Sequence, residues 1–215
     1  AQRSLSAVTW NLLAPTRGFP LSRHTVFFSH DYAAEFNDIG RARLPASPTV
    51  YVCAQDRSDD DVAVSAAERL LLIVNAPARG DTHPFTPEEL SQCESQTFQQ
   101  MARCGLQVDR HAALTQMTTP QGFEHLFPAT GGALYGRAPH GWMASFSRPG
   151  SRSRLPGLYL AGGSVHPGPG VPMAALSGRQ AAASVIADRA SARTSNRPST
   201  PPSQPVATPG GTSTR

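Results

Sequence analysis

The stretch from Leu155 to Asp188, LPGLYLAGGSVHPGPGVPMAALSGRQAAASVIAD, constrains the fold more than any other part of the chain. Leu158-Tyr159-Leu160-Ala161 is an apolar run of the length of a buried strand, too short for a helix. Gly162 and Gly163 follow at once and predict a turn with bare backbone. His166 to Pro172 is dominated by glycine and proline, which exclude regular structure. Pro172 suits the first position of a helix, where its missing N–H costs nothing. Met173, Ala174, Ala175 and Leu176, then Arg179 through Ile186, are rich in helix formers. The predicted unit is strand, glycine turn, bare loop, helix.

Such a unit has a physical use. A helix N-terminus presents unpaired N–H groups and about half a positive charge. A glycine-lined approach lets the anionic or carbonyl oxygens of a ligand come close to backbone. The same pattern also fits an ordinary strand–helix connection in any α/β protein, where glycine serves only tight packing.

The residues themselves resemble a known family. Pro156-Gly157-Leu158-Tyr159-Leu160, Gly162-Gly163, His166-Pro167-Gly168, Gly170-Val171-Pro172 and Leu176-Ser177-Gly178-Arg179 are similar to the C-terminal flavin-binding motif of the phytoene desaturase-type carotenoid oxidoreductases. Upstream, Phe127-Pro128-Ala129-Thr130-Gly131-Gly132-Ala133-Leu134-Tyr135-Gly136 and Phe146-Ser147-Arg148-Pro149 resemble the same family. The likeness runs from about the start of the chain to Ala187. Within the family it is strongest to the desaturases of 1-hydroxy or 1-methoxy carotenoids.

The resemblance implies an α/β chain that is part of a two-domain flavoprotein. An α+β substrate sheet is implied over residues 1–150. The C-terminal strand and helix of a Rossmann-like FAD domain are implied over 151–189. Gly162, Gly163 and Ser164 are implied to approach the ribityl–pyrophosphate part of FAD, and Val171, Pro172, Met173 and Ala174 to offer a helix N-terminus to the reduced ring. The implied substrate is an acyclic carotenoid, met at the cytoplasmic face of a bacterial membrane by peripheral attachment. His166 lies in the Pro/Gly loop; removing an allylic hydrogen needs no strong base, so loop shaping or a flavin contact is expected of it. No catalytic acid or base is assigned. The family also begins with a GxGxxG fingerprint and an acidic residue after the second strand, and neither occurs here. These 215 residues are therefore expected to be an incomplete portion, without turnover of their own, whose last strand and helix lack sheet partners. A carotenoid isomerase or amine oxidase-like flavoenzyme would share the motif. A non-catalytic carotenoid- or membrane-associated module is a further reading.

Composition adds bounds. A hydrophobic content of 39% supports a core. No apolar run reaches the roughly 18 residues of a membrane-spanning helix, and no signal peptide is expected from the opening residues. The net charge of +4 is mild, its local group being Arg148, Arg152 and Arg154. That group reads as a solvated loop, with weak attraction to anionic lipid as the sharper alternative. No basic stripe with interleaved aromatics points to nucleic acid. Three cysteines, Cys53, Cys93 and Cys104, form no CxxC pair and are expected reduced and structural. No metal site is expected; the acidic loop Asp56 to Asp61 reads as solvated rather than cation-binding.

The remaining elements follow from pattern. Ser4 to Ala14 alternates as a strand, with Val8, Trp10 and Leu12 on one face; a chain opening within a strand is expected to be part of something longer. His24 to Ser29 and Pro48 to Gln55 are strands, Tyr32 to Asn37 a helical turn, and Arg69 to Ala76 a central strand. Thr86 to Gly105 is a helix with Thr86 and Glu89 as a capping box. Its stripe Leu90, Cys93, Phe98, Met101 and Cys104 is expected to face a core. Val108 to Met117 is expected as one strand, and Thr119 caps a short helix. Tyr135, Trp142 and Phe146 suit either an apolar pocket or a domain junction. From Ala190 onward Ser, Thr, Pro and Gly predict a disordered tail, 190–215.

Overall fold

Nine residues, the first five buried on both faces and the last four alternating, make Ser6–Ala14 (β1) the spine of the molecule. The computed structural model describes residues 3–57, 67–110, 114–138 and 148–195. In it β1 pairs antiparallel with Glu68–Ala76 (β5) on one side and with Leu114–Thr118 (β7) on the other. Val50–Ala54 (β4) continues the sheet beyond β5, and His24–Phe27 (β3) forms its edge. The order is β3-β4-β5-β1-β7, with every pair antiparallel. Thr16–Arg17 (β2) and Gln107–Val108 (β6) make a separate two-stranded ribbon.

Strand alternation puts Val8, Trp10, Leu12 and Ala14 on one face. In register beside them lie Val74, Leu72 and Leu70, then Val52 and Ala54. All of these are buried. Pro87–Arg103 (α2) lays Cys93 and Met101, with half-buried Leu90 and Phe98, onto this face, and Leu21 and Leu106 close its ends. Each such side chain removed from water contributes roughly 1.5–3 kcal/mol.

The helix signals translate into geometry. The Glu89 N–H donates to the Thr86 hydroxyl at 3.2 Å, and the Thr86 N–H donates to the Glu89 carboxylate at 2.8 Å, completing the expected capping box. Thr119 caps Pro120–Leu126 (α3) as expected. The turn at Tyr32 extends to a nine-residue helix, Tyr32–Gly40 (α1), because Asp31 accepts the N–H of Ala34 at 2.9 Å.

Four expectations need correction. Val108 to Met117 is not one strand: β6 and β7 lie in different sheets, and the Asp109 N–H turns aside to the Pro15 carbonyl. Leu158 to Ala161 does not form a strand. Tyr159 makes only an isolated bridge with Arg152, because no other described strand runs beside it. Cys104 lies exposed at the cap of α2 rather than on the core, one residue beyond the last helical turn; all three cysteines are free. The last helix, Val171–Ser195 (α4), runs past Ala190 into the stretch expected to lack order. Ala190, Ala192 and Arg193 are strong helix formers and carry it on. The remaining tail from 196, and with it Trp142 and Phe146, lies outside the described residues.

Candidate functional site

The glycine corner is held from three sides. Gly162 has φ +121°, a conformation that L side chains rarely adopt, and a Cβ built there meets nothing within 4 Å. A Cβ on Gly163 would touch only the Pro169 Cα, at an ordinary 3.5 Å. Gly170, at φ +105°, opens equally onto free space just before α4. The corner therefore presents backbone to an approaching group.

Helix α4 is tied to this turn by one side chain. The Ser177 hydroxyl is fully buried; it accepts the Gly162 N–H at 2.7 Å and donates to the Ala174 carbonyl at 2.6 Å. Val171, 85% exposed, begins the helix, with Pro172 and Met173 exposed beside it and Ala174 half-buried. The Ala174 N–H is already spent on the Gly170 carbonyl at 2.8 Å. With no N–H on Pro172, the Val171 and Met173 amides are what the helix start offers an anion.

The second side is the motif Phe127 to Gly136. Glu124 accepts the N–H groups of Ala129, Thr130 and Gly131 at 2.7, 2.9 and 2.6 Å, which folds the segment over its carboxylate. Burial pushes the Glu124 carboxyl up, but these hydrogen bonds outweigh it and hold it below its ordinary range. The segment then joins the start of β1: the Leu134 N–H donates to the Leu5 carbonyl, and the Ser4 N–H to the Gly136 carbonyl. Gly136, at φ +71°, packs so closely on Ser164 that an added Cβ would meet its Oγ at 2.4 Å. Ser164 is thus placed against this loop rather than into the open corner.

The third side is Arg148. It donates to the Tyr135 carbonyl at 3.2 Å and the Gly163 carbonyl at 3.3 Å, and its guanidinium lies beside Gly168. His166 is half-buried, its N–H donated to the Pro149 carbonyl at 2.9 Å. The three resembling motifs therefore meet around Gly163, Ser164 and Arg148. Arg152 is engaged elsewhere, bidentate on Asp188, which also accepts the Tyr159 hydroxyl at 2.8 Å. Of the Arg148, Arg152 and Arg154 group, the first two are thus already engaged within the chain.

The other feature of note is the face of the five-stranded sheet turned away from α2. It carries Val26, Tyr51, Cys53, Ile73, Leu71 and Leu13, all half-buried or exposed. At its far end a cavity of about 520 Å³ is lined by Leu13, Leu114, Asn11 and Gln116 among others. A further cavity of about 450 Å³ lies over the β2–β6 ribbon, but Arg17 there is bonded to Gln107 and Arg110 is paired with Glu94.

Sequence reasoning missed Ser177 and Arg148 as parts of the corner. Ser177, Ala181 and Ser184 recur at helical spacing, and all are buried. Small residues at that spacing are a legible sign of a closely packed helix face. It also missed the polar pair His24 and Tyr51 on the open sheet face, whose parity follows once β3 and β4 are paired.

By sequence the chain is homologous to part of the carotenoid desaturases. Among these, hydroxyneurosporene desaturase of Rubrivivax gelatinosus is 61% identical over 188 residues, which are 87% of this chain and 36% of the relative. The hydroxyneurosporene desaturase of Cereibacter sphaeroides is 47% identical over 189 residues, 88% of this chain and 37% of its own length. The 1-hydroxycarotenoid 3,4-desaturase of Flavobacterium sp. is 32% identical over 184 residues, 83% of this chain and 37% of its own. The chain spans about a third of the length of these relatives. No family model matches it. The resemblance read from the C-terminal motifs is borne out.

Proposed function

We propose that this chain supplies the C-terminal portion of an FAD-dependent desaturase that dehydrogenates an acyclic carotenoid with a 1-hydroxy or 1-methoxy end group. The reading rests on one observation above all: open backbone at Gly162 and Gly163 beside the start of α4, in a chain 61% identical to a hydroxyneurosporene desaturase. FAD, when bound, supplies the acceptor for the two electrons removed as a CH–CH bond becomes C=C.

The residues fit such a group. Gly162, Gly163 and Gly170 have no side chain to block a ribityl or phosphate oxygen. The amides of Val171 and Met173, with the dipole of α4, favour negative charge at the helix start. Pro172 and Ala174 fix that turn, and Ser164 buttresses the corner from the Gly136 side. Arg148 adds a positive charge beside Gly163. In this reading residues 1–150 are the substrate domain portion, 151–189 the FAD-domain segment and 190–215 a tail. The open sheet face takes the polyene along its apolar side chains Val26, Ile73, Leu71 and Leu13. The adenosine end of FAD then depends on residues beyond these 215, and the chain alone has no turnover.

A lipid-soluble substrate places the enzyme at the cytoplasmic membrane surface. The proposed attachment is peripheral; among the described residues no helix is long and apolar enough to cross a membrane.

The test is to graft these residues in place of the matching third of the Rubrivivax gelatinosus enzyme and supply a 1-hydroxy acyclic carotenoid. Formation of a product with one more conjugated double bond supports the reading. A folded graft that leaves the polyene spectrum unchanged, beside an active parent, refutes it.

A further inference from the structure

The β3–β4–β5 side of the open sheet face is apolar around one hydrogen-bonded polar pair, while Asn11, Arg69 and Gln116 lie on the same face toward β1 and β7. The β3–β4 register sets Val26 opposite Tyr51 and His24 opposite Cys53, so His24 and Tyr51 are diagonal neighbours on that face. The next strand sets Ile73 beside Tyr51 and Leu71 beside Cys53. His24 Nδ1 and the Tyr51 hydroxyl are 2.7 Å apart, and the two rings lie stacked with centroids 6.1 Å apart. A hydrogen-bonded couple thus stands at the β3 edge of the sheet, with Val26, Cys53, Leu71 and Ile73 as its neighbours on that face.

We infer that the His24–Tyr51 couple recognises the oxygen-bearing end of the polyene, and so selects a hydroxylated or methoxylated carotenoid over its purely hydrocarbon counterpart. The inference rests on the function proposed above and names the specificity residues of that substrate face. The couple has the donor and acceptor capacity for it. A phenol carries one donor and two acceptor lone pairs, and His24 engages one of these sites. When Tyr51 donates to Nδ1, its oxygen can accept the proton of a ligand hydroxyl. When Nδ1–H donates to Tyr51, the phenol can donate to a hydroxyl or an ether oxygen, which has no proton of its own. The same pair therefore serves both end groups. Burial, with Cys53 adding to it, pushes the Tyr51 hydroxyl above its ordinary range, so the phenol stays protonated near neutral pH. The apolar neighbours sharpen the choice: a hydrocarbon end leaves the couple desolvated without a partner, the penalty by which polar sites reject analogues.

A purely structural role for the pair, as a cross-strand contact, would weaken every ligand alike. The experiment separates the two. The 215-residue chain is titrated in detergent with a 1-hydroxy acyclic carotenoid and with the same polyene lacking the hydroxyl, and the shift of the visible absorption is followed. Tyr51→Phe keeps the ring and the apolar face; His24→Phe keeps the stacking and removes the bond. Wild type is expected to bind the hydroxylated polyene more tightly, and each variant to lose that preference by roughly three- to tenfold while binding the hydrocarbon unchanged. Preference that survives in both variants overturns the assignment, as does equal weakening of both ligands. Wild type that binds neither polyene overturns the use of this face altogether, and with it the assignment, whereas a desaturating graft would leave the overall function standing.

Discussion

The Ser177 hydroxyl, in the second turn of α4, accepts the N–H of Gly162 at 2.7 Å. That single bond fixes the distance between the glycine turn and the helix start, because Ser177 also donates to the Ala174 carbonyl. The glycine corner is thus preorganised by a residue that never touches the space it encloses.

Ser177→Ala leaves the Gly162 amide without its partner, and an unsatisfied group of this kind costs about 1–3 kcal/mol. The cost is local. Amide exchange at Gly162 and Val165 is expected to speed up while β1 and β5 keep their protection. Uniform acceleration through the sheet would show instead that the corner and sheet unfold as one unit.

Glu68 and Arg57 form a buried pair across the base of the sheet. Arg57 Nε and Nη2 lie 2.8 Å from the two carboxylate oxygens, Thr16 donates to the same group, and the Glu68 side chain is 1% exposed. Burial pushes the Glu68 carboxyl up, but the Arg57 and Thr16 hydrogen bonds together outweigh it and leave the value below the ordinary range. A depressed folded value adds stability that is complete above the unfolded glutamate pKa of about 4.3 and disappears as pH falls through the folded value. Glu68→Gln is expected to destabilise by about 3 kcal/mol at neutral pH. Urea unfolding across the acid range should also show a shallower loss of stability for the variant than for wild type. Parallel curves would contradict the assigned shift.

Cys93 lies in the core under α2, and burial pushes its thiol up to about 12, with Glu94 adding and Thr97 opposing. A buried thiol kept protonated does not react. Alkylation of the native protein near neutral pH is expected to label Cys104, which is exposed, and to spare Cys93 until urea is added. Peptide mapping by mass spectrometry checks this. Labelling of Cys93 at the rate of Cys104 would mean that α2 does not cover the sheet as described.

Legibility followed locality. The α2 capping box, the Thr119 cap and strands β1, β4 and β5 were readable because each signal lies within a few residues of the element it starts or fills. Leu158 to Ala161 misled because a strand exists only beside another strand, and composition says nothing of whether the partner is present. Val108 to Met117 misled because β6 pairs with β2 and β7 with β1, a choice made by residues some hundred positions upstream. The site shows the same divide. Gly162 and Gly163 announced themselves, whereas the meeting of Arg148, Tyr135 and Gly163 and the His24–Tyr51 couple are products of tertiary pairing.

Flavin retention at the glycine corner tests the account most directly. Gly163 is the position to change, since a Cβ there meets only an ordinary contact and any effect of a larger side chain comes from blocking approach. In the Rubrivivax gelatinosus graft, flavin absorbance per polypeptide is measured for wild type, Gly163→Ala and Gly163→Leu. The account predicts a yellow wild type, a yellow Gly163→Ala, and a folded but colourless Gly163→Leu. Full flavin content in Gly163→Leu, or a folded colourless wild type, would contradict it.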